Sequence, residues 1–132
     1  GAGLNAVWKD GAEAYLGITV RGFPNLFMLY GPNTNLGHNS IIYMLESQIH
    51  YILQCVAQMD EQDIKALEAR DRVQDEFNRT VQDKISNTVW DKGCHSWYKT
   101  ESGKNTNNWP GFTFDYRRQT RTLDLSDYDL LR

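Results

Sequence analysis

The sequence predicts a mixed α/β fold with short strands near the N-terminus, two helices in the middle and a loop-rich aromatic C-terminal wrap. Short apolar runs bounded by Gly and Pro indicate the strands, and two stretches with helical apolar spacing indicate the helices. After residue 86 the aromatic residues are scattered among Gly, Asn, Ser and Lys. With 132 residues, the chain is long enough to bury a core without disulfides or a metal.

The first two predicted strands span residues 16–20 and 26–30. The turn between them contains Pro24, which fixes φ, together with Gly and Asn, which tolerate tight geometry. Residues 26–30 are all apolar or aromatic, and such a short run predicts a strand that is buried on both faces. Residues 31–39 are mostly Gly, Pro, Asn and Thr, so they are predicted to form a loop.

A long helix is predicted over residues 40–59, with Asn39 or Ser40 as its N-cap. Glu46 and Gln48 are polar positions in the middle of this helix and are expected on a solvated or domain-facing side. The apolar residues recur at i+3 and i+4 and form one stripe along the helix: Ile41, Ile42, Leu45, Ile49, Ile52, Leu53 and Val56.

The second half of the chain contains one further predicted helix. Residues 63–70 alternate between apolar and polar positions, which favours an edge strand over the start of a helix. Apolar residues at i+4 spacing from Val73 to Ile85 then predict a helix over residues 71–85. The pattern decays afterwards, and the polar residues 120–132, with Leu and Tyr interleaved, are expected to lie across a surface that this chain alone need not supply.

The composition argues against nucleic-acid and membrane partners. Fourteen basic and seventeen acidic residues give a formal net charge of −3, and Asp residues are interspersed with Arg117 and Arg118, which are interpreted as a solvated face. No apolar stretch approaches the ~20 residues that a membrane span needs. Cys55 and Cys94 lie in no C-x-x-C motif, so they predict two reduced thiols in a cytoplasmic protein.

The order of strand, Gly-rich loop and long helix around residues 26–40 suggests a binding site. A helix N-terminus presents unpaired N–H groups and partial positive charge, and nearby glycines let an anionic group approach the backbone. The loop is not G-x-G-x-x-G and no Walker-type Lys follows it, so an ordinary connection between strand and helix is the alternative. His38, at the helix start, can donate a hydrogen bond to a ligand or simply pack locally.

Three ordered phrases resemble a known family: residues 22–27 (Gly-Phe-Pro-Asn-Leu-Phe), 31–34 (Gly-Pro-Asn-Thr) and 37–40 (Gly-His-Asn-Ser). Together with residues 14–20, Glu46, Gln48, 94–98 and 108–111, they are similar to the C-terminal part of class B flavoprotein monooxygenases, the Baeyer–Villiger and flavin-containing monooxygenase family. The resemblance covers nearly the whole chain.

The resemblance implies a partial FAD/NAD(P)-binding, Rossmann-like domain. Residues 1–60 would form the C-terminal portion of the FAD-binding domain, with its last strand and long helix, and residues 61–132 a C-terminal helix and wrapping extension. The family uses FAD and NADPH to insert one oxygen atom from O2 into a ketone or a soft heteroatom, through a flavin C4a-peroxide. The implied partners are the remainder of the flavoprotein chain and a small-molecule substrate.

The family's two G-x-G-x-x-G motifs and its F-x-G-x-x-x-H-x-x-x-W-P fingerprint do not occur in this sequence. The chain alone is therefore not expected to bind FAD tightly or to oxidise NADPH, because those loops supply the N–H donors for a pyrophosphate. The alternative function is a free-standing, non-catalytic binding domain that keeps the shape of the flavoprotein C-terminus.

The resemblance also implies where cofactors bind, although it implies no catalytic residue and no metal ligand in this chain. Trp97 is expected on the nicotinamide or substrate side, with Lys104 as a basic partner, while a packing anchor is the alternative for Trp97. The residues expected to face the flavin lie in the loop and at the helix start: Asn33, Asn35, Gly37, His38, Asn39 and Ser40.

Overall fold

The computed structural model describes residues 3–34, 41–86, 109–110 and 113–132. These residues contain four α-helices and two short strands, which confirms the mixed α/β class. The elements in chain order are α1 (Leu4–Val7), α2 (Ile41–Glu61), β1 (Ala66–Ala69), α3 (Asp71–Ser86), α4 (Thr113–Thr120), a 3-10 turn (Leu125–Asp127) and β2 (Tyr128–Leu131).

Both predicted helices are confirmed, as α2 and α3, and the predicted edge strand is confirmed as β1. The C-terminal residues differ from the prediction. β2 pairs antiparallel with β1, from Ala66 opposite Leu131 to Ala69 opposite Tyr128, so the end of the chain completes a sheet inside this chain. The helix α4 was likewise not predicted in the loop-rich tail. Both elements are stabilised by partners about 60 or more residues away in the sequence, which local periodicity does not reveal.

The predicted strand over residues 16–20 is wrong. Leu16 and Gly17 have φ of 57° and 69°, so the chain folds back in a tight turn, with one bridge between Tyr15 and Thr19. The apolar character of the segment serves burial instead, since Ile18 and Val20 are fully buried.

The predicted strand over residues 26–30 is also wrong. Tyr30 turns the backbone with φ of 57°, and Leu29 and Tyr30 are half exposed. The backbone of Met28 donates to Ile18 O at 2.8 Å, yet the segment joins no sheet. Within the described residues only β1 and β2 pair as a sheet, so the run has no strand neighbour there.

The core has two parts that meet at Phe77. The first part surrounds Tyr51, Cys55 and Tyr128, and it includes Leu16, Ile18, Leu67 and Ala69. The second part lies between α2, α3 and α4 and consists of Met44, Val81, Ile85, Trp109 and Tyr116. The rings of Trp109 and Tyr116 pack edge to face with centroids 5.1 Å apart, which fixes α4 against the rest.

Helix α2 packs with a different face from the one its sequence suggests. Its buried residues are Met44, Ser47, Gln48, Tyr51 and Cys55, so polar and aromatic side chains face the core. The apolar stripe that predicted the helix lies mostly outside: Ile42, Ile49, Leu53 and Val56 are 63%, 45%, 61% and 51% exposed. We call these four residues the outer face of α2.

The turn at Gly17 and the start of the loop at Gly31 touch backbone to backbone. A Cβ on Gly17 would meet the Cγ2 of Thr34 and would lie 2.9 Å from the carbonyl oxygen of Pro32. A Cβ on Gly31 would meet the carbonyl group of Gly17. Glycine at both positions is therefore required by the chain's own packing.

We expect Gly17→Ala to destabilise the protein more than Gly22→Ala. Both glycines have positive φ, 69° and 80°, so each substitution costs about 1–2 kcal/mol of backbone strain. Only Gly17 would add a steric clash, of about 1–3 kcal/mol, because nothing lies within 4 Å of a Cβ on Gly22. Urea unfolding of the two variants measures the difference, and equal losses would show that the contact between the two segments is not tight.

Candidate functional site

The structure describes one of the residues predicted to bind a cofactor, Asn33. The other predicted cofactor residues lie outside the described residues, and their roles stay predictions: Asn35, Gly37, His38, Asn39, Ser40, Trp97 and Lys104. The described part of the site therefore consists of residues 30–34, the first turn of α2 and the side chains that hold them.

Asn33 lies in a strained and well-supported stretch of backbone. Its φ is 60° and that of Tyr30 is 57°, and a non-glycine residue in this left-handed region costs about 1–2 kcal/mol, less for Asn than for Tyr. Two contacts stabilise this backbone and offset the strain. Thr34 Oγ1 donates to Gly31 O at 2.7 Å, and Gly31 packs on Gly17. Asn33 is 2% exposed, so this chain already encloses it.

Gln48 is the residue that sequence reasoning missed. It was expected on a solvated or domain-facing side, yet it is fully buried, whereas Glu46 is exposed. Its Oε1 accepts a hydrogen bond from the backbone N–H of Tyr30 at 2.9 Å, and its Nε2 donates to Tyr116 Oη at 3.4 Å. The Tyr116 hydroxyl in turn donates to the carbonyl oxygen of Leu16. The sequence feature that indicates this burial is the helical position of Gln48, which falls on the same face of α2 as Met44, Tyr51 and Cys55.

Helix α2 begins at Ile41, and its first turn carries no acidic residue. The N-terminal end of a 21-residue helix has partial positive charge and unpaired N–H groups, and here no carboxylate of the first turn neutralises them. This end suits a group that carries negative charge, as one edge of a reduced flavin does. The charge at the start of α2 thus suits one edge of such a cofactor, although the sequence lacks the loops that would bind its pyrophosphate.

A network of buried tyrosines supports the turn next to the site. The hydroxyls of Tyr51 and Tyr128 lie 2.7 Å apart, Tyr128 lies 3.3 Å from Thr19 Oγ1, and Tyr15 donates to an Asp127 carboxylate oxygen at 2.8 Å. Burial raises the pKa of each of these three phenols well above the ordinary value. They are therefore neutral hydrogen-bonding groups that hold the fold, and not acids or bases that work near neutral pH.

Arg117 is not on the solvated face that the sequence suggested. Its guanidinium lies 3.5 Å from the centroid of the Tyr43 ring, and it donates to Ser47 Oγ at 3.1 Å and to a Glu46 carboxylate oxygen at 3.2 Å. These contacts fasten α4 to α2. Arg118 is exposed as predicted and pairs with Asp115.

None of the helices in the described part of the chain has the apolar length that a bilayer crossing requires. Among the same residues, no group of three or more His, Cys, Asp and Glu side chains is arranged to hold a metal ion. Cys55 is free and buried, and burial raises the pKa of its thiol to about 12.

Comparison with known proteins identifies the class to which this geometry belongs. No family model matches the chain. It is 48% identical over 125 residues to a Baeyer–Villiger monooxygenase of Pseudomonas aeruginosa, covering 93% of this chain and 24% of that protein. It is 42% identical over 135 residues to the FAD-binding monooxygenase ktnD of Aspergillus niger, covering 98% of this chain and 22% of that protein.

The fold is also similar to that of a solved monooxygenase structure. The cyclohexanone monooxygenase from Rhodococcus sp. Phi1 bound to NADP+ superposes with a TM-score of 0.83 at 25% identity, over 97% of this chain and 25% of that one. The resemblance to class B flavoprotein monooxygenases is therefore confirmed as a similarity: nearly the whole chain matches one segment of these monooxygenases. It spans about a quarter of the length of the relatives that it matches.

We expect the stability of the protein to fall as the pH rises above about 10, the ordinary pKa of a tyrosine. In the unfolded chain the phenols then ionise, while burial keeps Tyr51 and Tyr128 protonated in the folded state, so unfolding releases protons. Each such phenol lowers the free energy of unfolding by about 1.4 kcal/mol per pH unit in this range. Urea unfolding between pH 8 and pH 11 measures the slope.

The matched control is the double variant Tyr51→Phe/Tyr128→Phe, which removes both ionisable groups. Its stability should be lower at pH 8, because a buried hydrogen bond is lost, and should depend less on pH above 10. An identical slope in the variant and the wild type would contradict this account of the network.

Proposed function

We propose that this chain is the C-terminal quarter of an FAD- and NADPH-dependent monooxygenase that inserts one oxygen atom from O2 into a ketone or a soft heteroatom. The observation that carries the proposal is the identity of 48% and 42% to two monooxygenases over nearly all of this chain. A second support is local: the first turn of α2 carries no acidic residue, and hydrogen bonds hold the backbone at Tyr30 and Gly31. As the sequence suggests, the whole protein would act in the cytoplasm.

FAD, when bound, supplies the redox chemistry and the activation of oxygen. The part of this chain is to bind and orient one edge of the ring with backbone N–H groups at the start of α2. The helix dipole would stabilise negative charge there by about 0.3–1 kcal/mol, and direct N–H hydrogen bonds to a charged acceptor by about 1.5–3 kcal/mol. The residues proposed to face the flavin are Asn35, Gly37, His38, Asn39 and Ser40. Asn33 was expected among them, but this chain encloses it, so we propose that it holds the loop behind them.

The second cofactor would lie against the later part of the chain. We propose that Trp97 and Lys104 serve the NADPH side, as the resemblance implies. Residues 1–60 are assigned to the FAD-binding domain and residues 61–132 to the wrapping extension. Hydrogen bonds between Gln48 and Tyr116 and between Tyr51 and Tyr128 would join the two parts.

The outer face of α2 supports a larger protein around this chain. Ile42, Ile49, Leu53 and Val56 are all about half exposed or more on one helix, which is an unfavourable arrangement in water. The relatives are about four times as long as the segment that this chain matches. We therefore propose that the remainder of the flavoprotein covers the outer face.

In the full-length protein, we expect Gly37→Val and Asn39→Leu to lower FAD content and to shift the flavin midpoint potential downward. The reason is that a bulky side chain and a lost cap would disturb the N–H groups proposed to stabilise the reduced ring. Flavin absorbance per mole of protein and a redox titration measure both effects. The control variants are Gly3→Val and Asn5→Leu, at an exposed site where nothing lies within 4 Å of a Cβ on Gly3.

Wild-type FAD content and potential in both loop variants would show that residues 31–39 are only a connector. A colourless wild-type protein, with no bound flavin after purification, would instead favour the non-catalytic binding domain.

We expect Leu53→Ser to destabilise the full-length protein by about 1.5–3 kcal/mol, because a covered leucine would lose its apolar contacts. Leu131→Ser is the matched control, since Leu131 is 62% exposed and Leu53 is 61% exposed in this structure. Urea unfolding compares the two variants. Small and equal losses would show that the outer face stays in water, and a loss that depends on protein concentration would indicate a second copy as the occupant.

A further inference from the structure

The buried side chain of Gln48 holds the backbone just before the proposed flavin loop. The amide N–H of Tyr30 is directed to Gln48 Oε1 at 2.9 Å, and Tyr30 directly precedes Gly31, where the loop begins. Tyr30 has a left-handed backbone, so this point needs a partner to hold it. Gln48 itself is fully buried, which strengthens the bond and makes its loss costly.

The other end of the same amide reaches the C-terminal part of the chain. Gln48 Nε2 donates to Tyr116 Oη at 3.4 Å, and Tyr116 donates to Leu16 O in the turn on which Gly31 packs. Burial raises the pKa of Tyr116, so its hydroxyl keeps its proton and remains a donor. The amide is therefore bonded directly to Tyr30, next to Gly31, and is linked through Tyr116 to Leu16, next to Gly17.

We propose that Gln48 is a positioning residue for the flavin loop, and that Tyr116 extends its action to α4. The hydrogen bond from Tyr30 to Gln48 fixes the position of the Tyr30 backbone relative to α2. The contact between Gly31 and Thr34 then fixes the position of Asn33, which lies between them. The inference rests on the proposed function, since it assigns the loop to the flavin. It adds that the C-terminal extension, through α4, tunes how the loop meets the ring.

The same helix supplies a matched control in Gln54. Its side chain also makes two hydrogen bonds to distant backbone groups: Nε2 donates to Thr120 O at 3.2 Å and Oε1 accepts from Leu123 N at 2.9 Å. Thr120 is the last residue of α4 and Leu123 follows it, so Gln54 anchors α2 to the end of α4 and not to residues 30–34. We therefore expect Gln54→Met to weaken the anchoring of α2 and to leave the position of the loop unchanged.

The experiment compares Gln48→Met with Gln54→Met in the full-length protein. Both should lower Tm, because each removes two hydrogen bonds. Only Gln48→Met should weaken FAD binding, by about fivefold or more, and shift the flavin midpoint potential, because a hydrogen bond is worth about that factor. Tyr116→Phe should move both flavin readouts in the same direction by less, since it keeps the bond to Tyr30.

Equal flavin effects in the Gln48 and Gln54 variants, or none in either, would overturn the positioning role while leaving the proposed function intact. A wild-type protein without FAD would overturn both. If Gln48→Met does not fold, hydrogen exchange of the wild-type protein tests the inference instead. The backbone amide of Tyr30 should then be as protected from exchange as the amides in the core of α2. Exchange as fast as at exposed residues such as Gly22 would overturn the inference.

Discussion

The hydroxyl pair of Tyr51 and Tyr128 is the interaction on which most of the described structure depends. Tyr128 is the last aromatic residue of the sequence, yet it is fully buried beside α2. Its hydroxyl also lies near Thr19, its carbonyl accepts from Arg70, and its strand pairs with β1. One residue thus joins the N-terminal turn, the long helix and the sheet, so the fold is closed only when the C-terminal end is in place.

That closure explains the unusual polarity of α2. Because the helix must receive hydrogen bonds from the tyrosine network, from Tyr30 and from α4, its inner face is built from Ser47, Gln48 and Tyr51. The four aliphatic residues of the outer face then lie on the opposite side. Hydrogen bonds on the inner face fix the orientation of the helix, and burial of the four outer aliphatic residues requires a further partner that covers the outer face.

The sequence predicted the features that depend on local periodicity and failed on those that depend on distant partners. The spacing of apolar residues located α2 and α3 because any amphipathic helix shows it, whichever side is finally buried. Residues 16–20 and 26–30 were mistaken for strands because Leu16 and Tyr30 adopt left-handed backbone, which neither residue type signals. β2 and α4 were not predicted because their partners are distant in the sequence. Leu131 pairs with a residue 65 positions away, and Tyr116 bonds to a residue 68 positions away.

For the site, the sequence located the loop and the helix start, and it could not reveal what holds them. A glutamine in a helix normally predicts exposure, and only the structure shows Gln48 between Tyr30 and Tyr116. The described groups around the site are amides, buried neutral phenols and backbone N–H groups, and none of them can transfer a proton near neutral pH. Such a set can fix the place and the polarity of a cofactor edge. In a monooxygenase the reactive chemistry would then come from the cofactor, and this chain would contribute the geometry in which that chemistry takes place.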